Sequence, residues 1–134
     1  MKVAFATTDG VAVDEHFGRA AWFAVYEVTA GGFRHLEDRK FGTGARDHDV
    51  ESTRGMGAEH DHAVAGKVER LADCRLIYIE EIGGPSAARL SQKGIMPLKV
   101  KDLTSIEGNL ERLLETVAGN PPIWLRRALG EDGT

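Results

Sequence analysis

Arg75–Val100 constrains the fold more than any other stretch of the chain. Arg75–Ile79 (RLIYI) is an apolar run suited to a central strand. Ile82-Gly83-Gly84-Pro85 follows, then Ser86–Lys93 (SAARLSQK) reads as a short helix closed by Gly94. Ile95–Val100 (IMPLKV) reads as the last strand. A strand–helix–strand crossover requires its two strands to be parallel, with the helix on one face of the sheet. Pro85 suits a first helical turn, and Pro97 points to an edge strand.

The remaining segments extend this unit. Lys2–Thr8 reads as a buried first strand, Trp22–Val28 as a second and Phe33–Phe41 as a third. The turn at Ala30-Gly31-Gly32 makes the last two an antiparallel pair. The phase of the third strand is ambiguous, because Phe33, His35 or Leu36, and Phe41 do not share one alternation. Glu59–Asp73 reads as a helix through Val64, Val68 and Leu71. Thr104-Ser-Ile-Glu107 fits a capping box opening a helix with Ile106, Leu110, Leu113, Leu114 and Val117 on one face. The expected order is β-β-β-α-β-α-β-α, an α/β fold with a mixed five-stranded sheet and helices packed on it.

With 134 residues the chain fits a single domain, residues 1–134, and needs no disulfide staples. Gly42–Gly57 (GTGARDHDVESTRGMG) has no apolar face, and a flexible loop is expected over 42–58. Residues 120–134 read as a C-terminal extension anchored by Trp124 and Leu125. Seventeen Lys+Arg against 21 Asp+Glu leave a net charge of −4, which argues against a nucleic-acid or anionic-membrane surface. MKVAFATTDG turns polar too soon for a signal peptide, and Ala20–Tyr26 is too short to span a bilayer. A cytoplasmic, soluble protein is expected.

Ligands of open α/β sheets bind beyond the carboxyl ends of the parallel strands. Three loops should lie there: Thr8–Ala20, Glu80–Ser86 and Lys101–Thr104. His16, in Asp14-Glu15-His16-Phe17-Gly18, is the most suggestive residue, since a loop imidazole can ligate a transition metal. It can equally be a loop histidine with a structural hydrogen bond. The Gly83-Gly84 turn at a helix start is either an anion site or simply a tight connection. Cys74, at the start of the fourth strand, reads as a small buried hydrophobe, and a single thiol excludes a multi-thiolate cage. His48, His60 and His62 lie in an acidic stretch, but the last two are two residues apart and cannot share a helix face. Asp9, Asp14, Glu80 and Glu81 could together hold Mg²⁺ for phosphodiester cleavage, a reading that the net acidity disfavours.

MKVAFATTDG-VAVDEHFGRA with FAVYEV, then ADCRLIYIEEIGGPSAARL followed by KGIMPLKV, then NPPIWLRRAL resemble one family. This is the nitrogenase iron–molybdenum cofactor biosynthesis family, which includes NifX, NafY, NifY and the carboxyl-terminal part of NifB. H-F-G and I-G-G-P-x-A-A-R mark the wider family, and N-P-P-x-W-L-R marks its NifX-type members. The resemblance implies a ribonuclease H-like three-layer fold. It implies a non-enzymatic carrier, which binds an iron–sulfur precursor of the cofactor made by NifB and passes it to the NifE–NifN scaffold. The family histidine corresponds to His16, the metal ligand, with Phe17, Gly18, Arg19, Gly83, Gly84 and Arg89 around the cargo. The alternative is an interaction or storage module without metal ligation, in which Trp124 and Arg126-Arg127 dock NifE–NifN or dinitrogenase. Gly42–His62 departs from the family pattern.

Overall fold

The protein is described from a computed structural model, which covers residues 1–41, 66–101 and 104–133, with side chains described as far as residue 129. The strands are β1 (Lys2–Ala6), β2 (Trp22–Thr29), β3 (Gly32–Lys40), β4 (Leu76–Ile79) and β5 (Met96–Lys99). The helices are α1 (Gly84–Gln92), α2 (Ile106–Ala118) and α3 (Ile123–Gly133), and residues 66–70 are also helical. The expected loop at 42–58 and His48, His60 and His62 lie outside the described residues.

The sheet order is β3-β2-β1-β4-β5. The β1–β2 and β2–β3 pairs are antiparallel, and the β1–β4 and β4–β5 pairs are parallel. The expected mixed five-stranded sheet is therefore observed, with the crossover strands parallel. Pro97 does lie on an edge strand. The amides of Met96 and Val100 donate to Arg75 and Ile79 on the β4 side. Strand alternation then turns the position of Pro97, which has no N–H, outward, where no ladder bond is lost.

Side chains of the central strands alternate between two buried layers. On one face Ala4, Ala6, Phe23, Val25, Ile77 and Ile79 pack with Val68, Leu71, Leu90 and Ile95. On the other, Val3, Phe5, Val28, Leu76 and Tyr78 pack under Ile106, Leu110 and Leu113 of α2 and Leu125 and Ala128 of α3. Burial on both faces is why β1 and β4 read as unbroken apolar runs rather than alternating ones.

Several expectations are corrected. β3 has an irregular register, with Val25 opposite Glu37 and Tyr26 opposite His35, so Leu36 is the extra residue of a bulge. This is the source of the ambiguous phase: Phe33 packs on the α2 face, Leu36 and Phe41 on the other. α1 begins at Gly84, two residues before Ser86, because Pro85 occupies its first turn. α2 is capped by Ser105, not Thr104: the Ser105 hydroxyl accepts from the Gly108 amide. The C-terminal extension carries a helix, α3, so one more helix follows α2 than the expected order held. α3 is weakly amphipathic, and its Pro-Pro start obscures helical spacing in the sequence.

One polar cluster joins the edge strand β3 to β1 and to the chain entering β4. Arg39 of β3 binds Asp73 through both guanidinium nitrogens, at 2.6 and 2.8 Å, and also holds Glu37. Lys2 adds a third bond to Asp73 at 3.0 Å. These cations hold the Asp73 carboxyl well below the ordinary carboxylate range, Arg39 most of all. A group whose folded pKa is depressed contributes stability above its unfolded pKa and loses it as pH falls. Asp73→Asn is therefore expected to cost about 1 kcal/mol at neutral pH, since the cluster is partly solvated. In urea unfolding that cost should be constant above about pH 4 and shrink progressively below it.

Candidate functional site

The loop from Thr7 to Ala20 crosses the carboxyl edge of β1 and is shaped by its own side chains. Asp9 accepts from the amides of Val11 and Ala12, which lowers its pKa. Asp14 accepts from the amide and hydroxyl of Thr8 at 2.9 and 2.6 Å. Gly10 has φ +77, and a Cβ there would meet the Trp22 ring at 3.1 Å, so glycine is required.

Main-chain bonds then fix the loop on both flanks. On one flank Val13 donates to Thr104 and Ile106 donates to Val11, beside an Ala12–Ser105 bridge. On the other, Glu80 donates to Glu15 at 2.9 Å and Phe17 donates to Glu81 at 2.9 Å, with His16 bridged to Glu81. Of the three loops expected at this edge, the first is thus joined to each of the other two.

His16 begins a helical turn, its carbonyl accepting from the amides of Arg19 and Ala20. Its side chain is 51% exposed, and Nε2 lies 3.7 Å from Glu80 Oε1. That separation is too long for a hydrogen bond. It does place a carboxylate to receive Nε2–H while Nδ1 keeps its lone pair, the arrangement common for metal-bound histidine. Phe17 is the opposite case. Its ring is fully buried, 5.9 Å from Phe23 by centroid. It anchors the turn and presents no side-chain surface to a ligand.

Gly18 and Arg19 are exposed beside His16. Gly83 and Gly84 are exposed at the start of α1, where Gly83 is the N-cap without a side-chain cap bond and the first turn holds no acidic residue. Arg89 is not placed with them. It lies in the last turn of α1, five residues and roughly 7.5 Å of helical rise beyond Gly84. It is half-buried and engaged with other groups. Arg19 is the better-placed cation.

The carboxylates of this edge are largely occupied. Asp9 and Asp14 cap the loop, and Glu81 pairs with Lys99 at 3.2 Å, which lowers the Glu81 pKa. Among the described residues no group of three His, Cys, Asp or Glu side chains is arranged to hold a metal ion. The Mg²⁺ reading of Asp9, Asp14, Glu80 and Glu81 therefore finds no geometric support.

Cys74 is fully buried before β4, and burial raises its thiol pKa to about 12. Seven residues separate it from Glu81, about 23 Å along an extended strand, so it is remote from His16.

Lys67 carries no signal in the sequence. This lysine, only 9% exposed, donates from Nζ to the carbonyls of Phe17 and Gly18 at 3.0 and 3.2 Å. It also lies over the rings of Phe17 and Phe41. A lysine in a helical stretch ordinarily reads as solvated, and its burial depends on a turn 50 residues away. Lys67→Met should keep the packing but leave two carbonyls without their charged donor, at about 1–3 kcal/mol in urea unfolding. Hydrogen exchange at the Arg19 and Ala20 amides should accelerate in the same variant, while amides of β4 keep their relative protection.

A family model described as dinitrogenase iron-molybdenum cofactor matches residues 1–116. Protein NifX of Rhodobacter capsulatus is 35% identical over 130 residues, 97% of this chain and 78% of that protein. The FeMo cofactor biosynthesis protein NifB of Sinorhizobium fredii is 30% identical over 122 residues, 91% of this chain but 23% of that protein. The crystal structure of PH0822 matches with a TM-score of 0.55 at 14% identity, covering 92% of this chain and 98% of that one. That last likeness speaks to fold alone.

Proposed function

Because the chain belongs to the dinitrogenase iron-molybdenum cofactor family and is NifX-type within it, we propose that it is a non-enzymatic carrier in nitrogenase cofactor biosynthesis. Its cargo is an iron–sulfur precursor of the iron–molybdenum cofactor, received from NifB and delivered to the NifE–NifN scaffold. His16 is the metal ligand. Gly18, Arg19 and the Gly83-Gly84 turn face the cargo, and Phe17 holds the turn in place. The strand order β3-β2-β1-β4-β5, with helices on both faces, supports reading the fold as ribonuclease H-like.

The observation that carries this reading is the mounting of His16. An exposed imidazole stands on a turn pinned by Phe17 to Glu81, by Glu15 to Glu80 and by Lys67. A carrier must break every protein–metal bond on handover, so few ligands favour release. A permanently held cluster would call for several thiolates. Cys74, the chain's one cysteine, is buried and protonated at neutral pH, far from His16. An anionic cluster next to Glu80 needs compensating positive charge, which Arg19 and the open amides at the start of α1 supply.

The test is anaerobic. The intact chain is mixed with the isolated NifB product, freed of unbound cluster by gel filtration, and assayed for iron. The carrier reading expects stoichiometric iron on the wild type. His16→Ala should retain at least about tenfold less at limiting cluster, equivalent to about 1.4 kcal/mol of binding. Its circular dichroism should be unchanged, since the side chain is exposed. Iron no higher than in a protein-free control would overturn the carrier reading, and equal retention by His16→Ala would remove His16 from it.

A further inference from the structure

We propose that Glu80 is a positioning residue for His16: its carboxylate takes the ring's Nε2–H and so makes Nδ1 the atom that ligates the cargo. The inference rests on the carrier reading. It adds a residue that acts through the imidazole rather than on the metal.

The main chain brings the two side chains together. The Glu80 amide donates to Glu15 at 2.9 Å and the Phe17 amide to Glu81 at 2.9 Å, with His16 bridged to Glu81. His16 and Glu80 therefore stand on one short ladder rather than on two separate loops. Their side chains are 51% and 49% exposed, and Nε2 and Oε1 lie 3.7 Å apart. A small rotation of either side chain closes that gap to a hydrogen bond.

Two observations single out this pair. The first is that the neighbouring carboxylates are occupied. Asp9 and Asp14 accept from N–H and O–H groups of their own loop. Glu81 pairs with Lys99 at 3.2 Å and accepts from the Ile82 amide. Among the described residues the Glu80 carboxylate accepts no hydrogen bond, and its ion-pair neighbour is His16. The second concerns the ring. Among the described residues neither nitrogen of His16 is hydrogen-bonded, so the lone pair of Nδ1 is open.

A neutral imidazole has one N–H and one lone pair. A carboxylate facing Nε2 fixes the N–H there, leaves Nδ1 to the metal and makes it a stronger donor. That strengthens the one bond between carrier and cargo without adding a second that handover must break. Charge alone predicts the opposite: a carboxylate beside an anionic cluster repels it, so removing Glu80 would tighten binding. The sign of the effect separates the two.

The test repeats the anaerobic uptake of the isolated NifB product with wild type, His16→Ala, Glu80→Ala and Glu80→Gln, each checked by circular dichroism. Glu80→Ala should retain at least about tenfold less iron at limiting cluster. Glu80→Gln keeps an acceptor oxygen without the charge and should recover most of that loss. Without cargo, proton–nitrogen correlation spectra are taken at about pH 9, where an imidazole is ordinarily neutral. They should place the His16 ring proton on Nε2 in wild type and less fully so in Glu80→Ala. The His16→Ala spectrum identifies the resonance. Tighter or unchanged binding by Glu80→Ala would overturn the proposal. So would Glu80→Gln as weak as Glu80→Ala, which would make the carboxylate itself a metal ligand, or a wild-type ring protonated at Nδ1. Each of these leaves the carrier reading standing if wild type takes up iron and His16→Ala takes up less. Wild-type iron no higher than in a protein-free control would overturn both.

Discussion

The loop after β1 is held by main-chain hydrogen bonds on both of its flanks, and the position of His16 follows from that. Parallel strands end side by side, so the loops leaving β1 and β4 emerge next to each other. Here they zip together through Glu15, Phe17, Glu80 and Glu81. The same loop reaches across the other face to Thr104 and Ile106, at the start of α2. A loop of this length would otherwise sample many conformations, and an imidazole on it would be a poor ligand because binding would have to order the backbone first. The fold meets that cost during folding. Phe17 in the core and Lys67 beneath the turn add side-chain restraints to the main-chain ones.

A rigid mount with a sparse ligand set, as the proposed carrier role has it, is a particular solution. Enzymes and permanent cluster proteins gain from adding ligands, because each one deepens binding. A carrier gains nothing once its cargo is bound more tightly than the donor holds it. Excess affinity becomes a barrier to delivery. Preorganising one imidazole raises affinity without adding a bond to break. Glu80 fits the same logic. In the proposed reading its Oε1, 3.7 Å from His16 Nε2, is close enough to orient the ring for ligation through Nδ1.

The fold was legible where burial alone decides. β1 and β4 are apolar on both faces, and the Gly-Gly-Pro connection between β4 and α1 marks a strand-to-helix turn. The parallel pairing followed from the crossover, and the clustering of three loops at one edge followed from the pairing. What stayed hidden depends on partners distant in sequence. The bulge at Leu36 is set by pairing with β2, the burial of Lys67 by the turn at Phe17, and the exposure of Trp124 by where α3 packs. Ser105 rather than Thr104 caps α2 because the chain must first donate and accept across to Val11 and Val13. His16 was conspicuous for its neighbours in sequence, whereas Arg89, in the same stretch as Gly83-Gly84, is carried to the far end of α1 by helical rise.

The two ends of β4 divide the molecule's surfaces by chemistry. The carboxyl edge carries glycine turns, an imidazole and occupied carboxylates; the amino edge carries Trp124, Met96 and two arginines in a groove. Between them lies a fully buried four-residue strand, Leu76–Ile79, with no exposed side chain to link the sites. Such a strand is rigid, and it keeps the two edges from sharing any surface. In the proposed carrier reading, release of cargo would come at the carboxyl edge, by a stronger ligand replacing the imidazole.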